Sequence, residues 1–323
     1  MTVWPTWIQY FTAMIALNID GSKISLIPDN ALDPQINTLE SLSINNGSLS
    51  SVPKALSKLK ALTSLDLSNN HIVDVSFLPQ LCNLSSLSIY NNRIANASVL
   101  SNALRAFGDS MYDLETGNNL LTAIPDFSSL TKVSVIDLSR NRISNPHSGL
   151  IPISVYDIDF SYNFLPTIPS VWPIMPTVTE MKLSNNIITT IQAIYFNNWT
   201  YQVELSNNLI TELSDNSFPP YSTVRALYLK NNPVKRISNN AFRNLPQLID
   251  LDLGGSKLTR LPLQLASITT LTSLDMSDSI YLVCTCVEKS LQPWIQKLMQ
   301  VYGDCGKGSI QYFFTSLSPG CPD

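Results

Sequence analysis

One spacing, Leu-x-x-Leu-x-Leu-x-x-Asn-x-Leu, returns along nearly the whole chain. A copy runs Leu62, Leu65, Leu67, Asn70, Ile72; another Leu84, Leu87, Ile89, Asn92, Ile94; a third Val133, Ile136, Leu138, Asn141, Ile143. The same frame fits copies opening at Met111, Val155, Val178, Thr200 and Val224, with weaker ones at Met14, Leu39, Leu248 and Leu271. That is about twelve copies at a mean period of about 23 residues. A unit this short cannot bury its own apolar face, so the copies must stack, each against its neighbours.

Each position in the frame has a physical reason. Residues that alternate, such as Leu65 and Leu67, point to one side of a short strand and fill a core, while Ser64, Asp66 and Ser68 point to the other side. The Asn position needs a buried side chain that donates and accepts at once, where each turn leaves the strand. Asn70, Asn92, Asn119, Asn141, Asn163, Asn186, Asn208 and Asn232 form that ladder, and Ser22, Gly47, Ser256 and Ser279 replace it in the outer copies. Terminal repeats of a stack are expected to be atypical. Between strands, the stretch from Ala97 to Phe107 reads as a short convex helix, and Phe242 is placed behind the sheet.

With this frame the chain resembles the leucine-rich-repeat superfamily, in its extracellular form, over nearly its full length. The resemblance implies an α/β solenoid: a right-handed horseshoe of about twelve repeats with a parallel concave sheet. It divides the chain into an N-terminal capping stub (1–13), repeats (14–281) and a disulfide-bonded C-terminal cap (282–323). Four of the five Cys lie in that tail, at Cys284, Cys286, Cys305 and Cys321, with Trp294 between. Sequence alone leaves three pairings open, with a zinc site as the rival reading although no second Cys-x-x-Cys follows. The family's cysteine cap implies Cys284–Cys305 and Cys286–Cys321. Cys82 stands apart and reads as a buried, inert thiol. The N-terminus departs from relatives that carry a cysteine-bearing cap there. Either Trp4, Trp7, Tyr10 and Phe11 cover the open core, or a cap precedes this chain.

Charged residues make up only 14% of the chain and the net charge is −4. Clustered Lys and Arg are missing, which argues against a nucleic-acid partner. No apolar run of 18 residues is present, so no membrane segment is expected in this chain, although a full-length protein is free to carry one. Trp7 to Ile19 reads as the first strand region rather than a signal peptide.

No catalytic constellation emerges, and no cofactor or metal is expected. His71 and His147 read as surface residues. Gly303-Asp-Cys-Gly-Lys-Gly308 lacks the spacing of a phosphate loop. Four glycosylation sequons start at Asn46, Asn83, Asn96 and Asn198, with Asn83 suspect because it adjoins core Leu84.

The family places recognition on the concave face, whose outward positions the frame identifies. They carry Asp66, Asp113, Glu115, Asp137, Asp157, Asp159, Glu180, Glu204, Asp250, Asp252 and Asp275, against Lys182 and Lys230, with Arg140 at the edge. Asp66, Asp137, Asp159, Asp252 and Asp275 occupy a position where Asp serves the sheet locally. Asp113, Asp157, Glu180 and Asp250 sit one strand position earlier, and like charges on neighbouring strands cost stability unless offset. The expectation is a protein or peptide ligand, basic, over the middle repeats, with Tyr90 and Tyr228 as aromatic anchors. Calcium bridged by Asp157 and Asp159 is the weaker alternative. The resemblance implies a receptor ectodomain at the cell surface or an extracellular recognition protein; a secreted adhesion protein, an enzyme inhibitor and an intracellular scaffold are the alternatives, the last disfavoured by the cysteines.

Overall fold

The computed structural model describes residues 3–321. Met1, Thr2, Pro322 and Asp323, the outermost residues of the expected stub and cap, lie outside the described residues. The chain forms two compact units that part between Asn163 and Phe164.

The first unit carries seven three-residue strands in chain order: β1 (Ala16–Asn18), β2 (Ser41–Ser43), β3 (Ser64–Asp66), β4 (Ser86–Ser88), β5 (Asp113–Glu115), β6 (Val135–Asp137) and β7 (Asp157–Asp159). Neighbours pair in parallel with no register slip, so Leu17, Leu42, Leu65, Leu87, Leu114, Ile136 and Ile158 form one buried row. A one-residue slip would turn that row to solvent, which is why the Leu-x-Leu pattern fixes the register. Behind the sheet runs α1 (Ala97–Leu104), capped by the Asn96 side chain, which accepts from the Val99 N–H at 3.0 Å. Leu100 and Leu104 make its buried face at helical spacing, and Phe107 is buried in the 3-10 turn Arg105–Phe107 that follows. The expected convex helix is therefore present.

The Asn ladder is built as the frame demands. Asn141 accepts from the Leu121 N–H at 3.0 Å and donates to the carbonyls of Thr116, Leu138 and Ser139 at 3.2 Å each. Asn70, Asn92 and Asn119 repeat this arrangement. The N-terminal end corrects one expectation. Trp4 and Ile8 are buried over the core, whereas Trp7, Tyr10 and Phe11 are exposed. The cause is Gln35, fully buried beneath the stub, which donates to the carbonyls of Ile8 and Phe11 at 2.9 and 2.8 Å and so fixes which side of that turn faces inward.

The second unit holds β8 (Glu180–Lys182), β9 (Gln202–Glu204), β11 (Ala226–Tyr228), β13 (Asp250–Asp252), β14 (Ser273–Asp275) and β15 (Gln300–Tyr302), again parallel and in register. A smaller parallel pair, β10 (Glu212–Leu213) with β12 (Arg236–Ile237), lies outside this sheet and is clamped by the Arg236–Glu212 ion pair. Buried Phe196, Phe218 and Phe242 fill the layer behind the strands, the first two edge to face at 5.6 Å. Phe242 thus occupies its expected place. Thr200 stands at a core position of the frame and is buried because its hydroxyl bonds the Asn197 side chain at 2.9 Å.

The tail holds disulfides Cys284–Cys305 and Cys286–Cys321, the pairing that the cysteine cap implied. It also adds a strand to the sheet, since β15 pairs with β14. Trp294 is buried and its indole N–H donates to the Ile268 carbonyl at 3.0 Å. Arg260 reaches from the last repeats to Glu288, with Nε 2.6 Å from Oε1.

Candidate recognition surface

The outward positions of the first unit fall into two rows set by strand register. The earlier row reads Ser86, Asp113, Val135, Asp157 and the later one Ser88, Glu115, Asp137, Asp159. Asp113 and Asp157 are thus separated by Val135, and the unbroken acidic row is Glu115, Asp137, Asp159. Tyr90 follows β4 on this side, half-buried.

The acids divide by what binds them. Asp66, Asp137 and Asp159 each accept the backbone N–H two residues ahead, from Ser68 at 2.9 Å and from Ser139 and Ser161 at 2.7 Å. In the second unit Asp252 and Asp275 do the same for Gly254 at 2.8 Å and Ser277 at 2.7 Å. These five carboxylates shape the turn that ends each strand, a local role available to Asp because its short side chain reaches its own backbone.

Two consequences follow for ionisation. Burial opposes the charge of Asp66, but bonds from Ser68, Asn45 and Ser43 outweigh it and its pKa is lowered. At Asp137 burial is the largest influence; it outweighs the bonds from Ser139, the charges of Asp159 and Glu115 add to it, and the pKa is raised. Asp137 sits where it does because Gly117 has no side chain. A Cβ at Gly117 would lie 2.3 Å from the Asp137 carboxylate. Sequence reasoning missed Gly117, although its place beside the Asp column of the next repeat was visible in the frame.

The acids outside the turn-forming set behave differently in the two units. In the second, Glu180 accepts from the Tyr201 hydroxyl at 2.9 Å, Glu204 from the Gln202 amide at 2.7 Å, and Asp250 from the Tyr228 hydroxyl at 3.2 Å. Burial and then Asp250 push the Tyr228 phenol up to about 12. Asp252 is raised as well, by burial first and with a contribution from Asp275. Tyr201 and Gln202 are partners that sequence reasoning missed; both lie beside or in the strand frame. In the first unit no described residue hydrogen-bonds or ion-pairs with the side chains of Asp113 and Glu115. They are available carboxylates beside Tyr90, where an external cation or N–H donor meets no intramolecular competitor.

Among the described residues no group of three or more His, Cys, Asp or Glu side chains is placed to hold a metal ion, and no helix is long and apolar enough to cross a membrane. His71 and His147 are exposed. Cys82 is buried; burial raises its thiol to about 11, which keeps it protonated and unreactive at neutral pH. All four sequon Asn residues are exposed, Asn83 included, so its neighbour Leu84 takes the core position without drawing Asn83 inward.

Family models described as "Leucine Rich repeats (2 copies)" and "Leucine rich repeat" match residues 60–102 and 222–279. The mouse protein "Leucine-rich repeats and immunoglobulin-like domains protein 2" is 33% identical over 115 residues, which is 35% of this chain and 11% of that protein. Human keratocan is 30% identical over 184 residues, 55% of this chain and 50% of keratocan. The chain therefore spans half or less of these relatives. Among solved structures, the LRIM1/APL1C complex superposes with a TM-score of 0.70 at 22% identity, covering 84% of this chain and 49% of the other. The complex of latrophilin 3, Unc5D and the repeat domain of FLRT2 gives 0.65 at 18% identity, covering 92% and 94%. At these identities the likeness is one of fold.

Proposed function

From a chain that is a leucine-rich-repeat solenoid with a C-terminal cysteine cap, we propose an extracellular recognition module that binds a protein or peptide ligand and performs no catalysis. The expected division into stub (1–13), repeats (14–281) and cap (282–323) belongs to this reading. The observation that carries it is the pair of unengaged carboxylates, Asp113 and Glu115, next to Tyr90 and the acidic row on the concave side of the first unit. Such a surface favours a ligand with Lys or Arg, drawn in by the field of the whole row and held at carboxylates that need no desolvation of an internal partner. Tyr90 supplies a stacking face beside them. The acids of the second unit are occupied by Tyr201, Gln202 and Tyr228 and serve that surface less directly.

Selection of a displayed random-peptide library on the folded chain tests this. The enriched peptides are expected to be rich in Lys and Arg and to lose at least tenfold in affinity for the Asp113→Lys, Glu115→Lys double variant. Peptides without basic enrichment, or equal affinity for both proteins, would move the site off this face.

The finer proposal is that the module is the ligand-binding ectodomain of a cell-surface receptor. Two of the solved neighbours are complexes by their names, LRIM1 with APL1C and FLRT2 with its partners. A membrane-spanning helix encoded after this segment in the same transcript is the expected finding; a transcript closing without one makes the protein a secreted binder. Asn46, Asn96 and Asn198 are proposed glycosylation sites in either case, exposed as each is.

A further inference from the structure

On the flank of the first unit, where the chain enters β4, β5 and β6, lies a groove of about 700 Å³. We propose that this groove holds the glycan attached to Asn83. The inference rests on the extracellular reading above and adds to it a place for one sugar chain.

Asn83 is exposed and itself lines the groove, and Ser85, which completes the sequon, lines it too. The next repeat lies directly alongside: the Ser110 hydroxyl donates to the Leu84 carbonyl at 2.9 Å and the Tyr112 N–H to the Ser85 carbonyl at 2.8 Å. The repeat after that continues the floor, with the Thr131 N–H donating to the Gly108 carbonyl at 2.9 Å. Gly108 permits this closeness, since a Cβ there would lie 2.5 Å from the Ser129 carbonyl oxygen. Asn83 to Lys132 is two repeat steps, about 10 Å at the spacing of paired strands. That length accommodates the first sugars of a chain anchored at Asn83.

The lining has the chemistry of a sugar site. Tyr112 is 51% exposed and is the only aromatic among the described residues lining the groove, a flat face for the C–H side of a pyranose. Lys132 lies over the same ring, its Nζ 6.0 Å from the centroid. Ser85, Ser110, Arg105 and Asp109 surround it with hydroxyls and both signs of charge, matched to a ligand of many O–H groups. A drug-like apolar ligand needs a mostly apolar wall, which this groove does not have. A bare phosphate or sulfate would meet Asp109 as well as the two cations.

The test uses the full chain made in a eukaryotic secretory host, digested under native conditions with a peptide-N-glycosidase, with glycopeptide mass spectrometry at each sequon over time. Asn83 is expected to be occupied and released at least tenfold more slowly than Asn198. Tyr112→Ala should bring Asn83 to the Asn198 rate and leave the other sites unchanged, while Tyr112→Phe, which keeps the ring, should keep the protection. A bare Asn83 with the other sequons occupied overturns the inference alone. So does equal release from Asn83 and Asn198 in the parent protein, or protection that survives Tyr112→Ala. No glycan at any sequon overturns it together with the extracellular reading.

Discussion

Glu288 shows what one residue does at the join between repeats and cap. Its side chain is 1% exposed, yet its carboxylate accepts from the Arg260 Nε at 2.6 Å, the Arg260 guanidinium again at 3.1 Å, and the Thr285 N–H and hydroxyl at 2.8 and 3.1 Å. Burial alone would raise its pKa, but the bonds from Arg260 and Thr285 outweigh it and the pKa is lowered. A carboxylate whose folded pKa lies below its unfolded value, about 4.3, stabilises the fold above that value and stops doing so as pH falls through the folded pKa. Glu288→Gln should therefore cost about 2 kcal/mol at neutral pH, the value for charged hydrogen bonds and below that for a fully buried pair, because Arg260 keeps access to water. Denaturant titrations of parent and variant at pH 7 and pH 3 check this. The gap should narrow towards the acid end, and a gap of unchanged size there would show that packing, not charge, holds the join.

Elements are decided by pairs of residues from adjacent repeats, and here the sequence is legible in part. The strands, their register and the Asn ladder follow from the spacing of apolar and Asn positions, because each such residue has one place to go. Strand β15 does not follow, because Gln300-Val301-Tyr302 lacks the Leu-x-Leu signature and comes after an interval longer than the period. The cap recruits it by covering the open edge of β14, which an unpaired strand would leave reactive toward other chains. The acidic positions were legible as a stripe, but not which carboxylates are engaged, since that depends on side chains such as Tyr201 and Tyr228 reaching across strands. Gly117 belongs to the same class. Gly117→Ala sets a methyl against the Asp137 carboxylate and should destabilise the first unit by about 1–3 kcal/mol. In an Asp137→Ala background the same change should cost much less, and additive costs in that double-mutant cycle would rule out the steric link. Helix α1 offers a separate check, since Asn96 caps it through Oδ1 while a glycan would use Nδ2. Asn96→Asp should remove the glycan and keep the cap, whereas Asn96→Ala should remove both and lose about 1 kcal/mol more in thermal or denaturant unfolding.

At the scale of the whole molecule, thiol chemistry tests the extracellular placement proposed for the chain. Four cysteines are paired in the tail, and the fifth, Cys82, is buried with its thiol raised to about 11. Two bridges closing loops of 21 and 35 residues constrain the unfolded tail and contribute about 3 kcal/mol each. Such bridges persist outside the cytosol and are reduced within it, which supports the extracellular placement proposed above. Alkylation followed by intact-mass measurement separates the possibilities. Freshly isolated native protein should take up no iodoacetamide, because the only thiol is shielded and protonated. Unfolding in guanidinium without reductant should admit one label, at Cys82, and adding reductant should admit all five. The reduced protein should also unfold at lower denaturant, with the tail around Trp294 exposed first. Four further labels without reductant would place the tail cysteines in the thiol state, and the same cysteines would then argue for a reducing compartment and against every extracellular partner proposed for the acidic face.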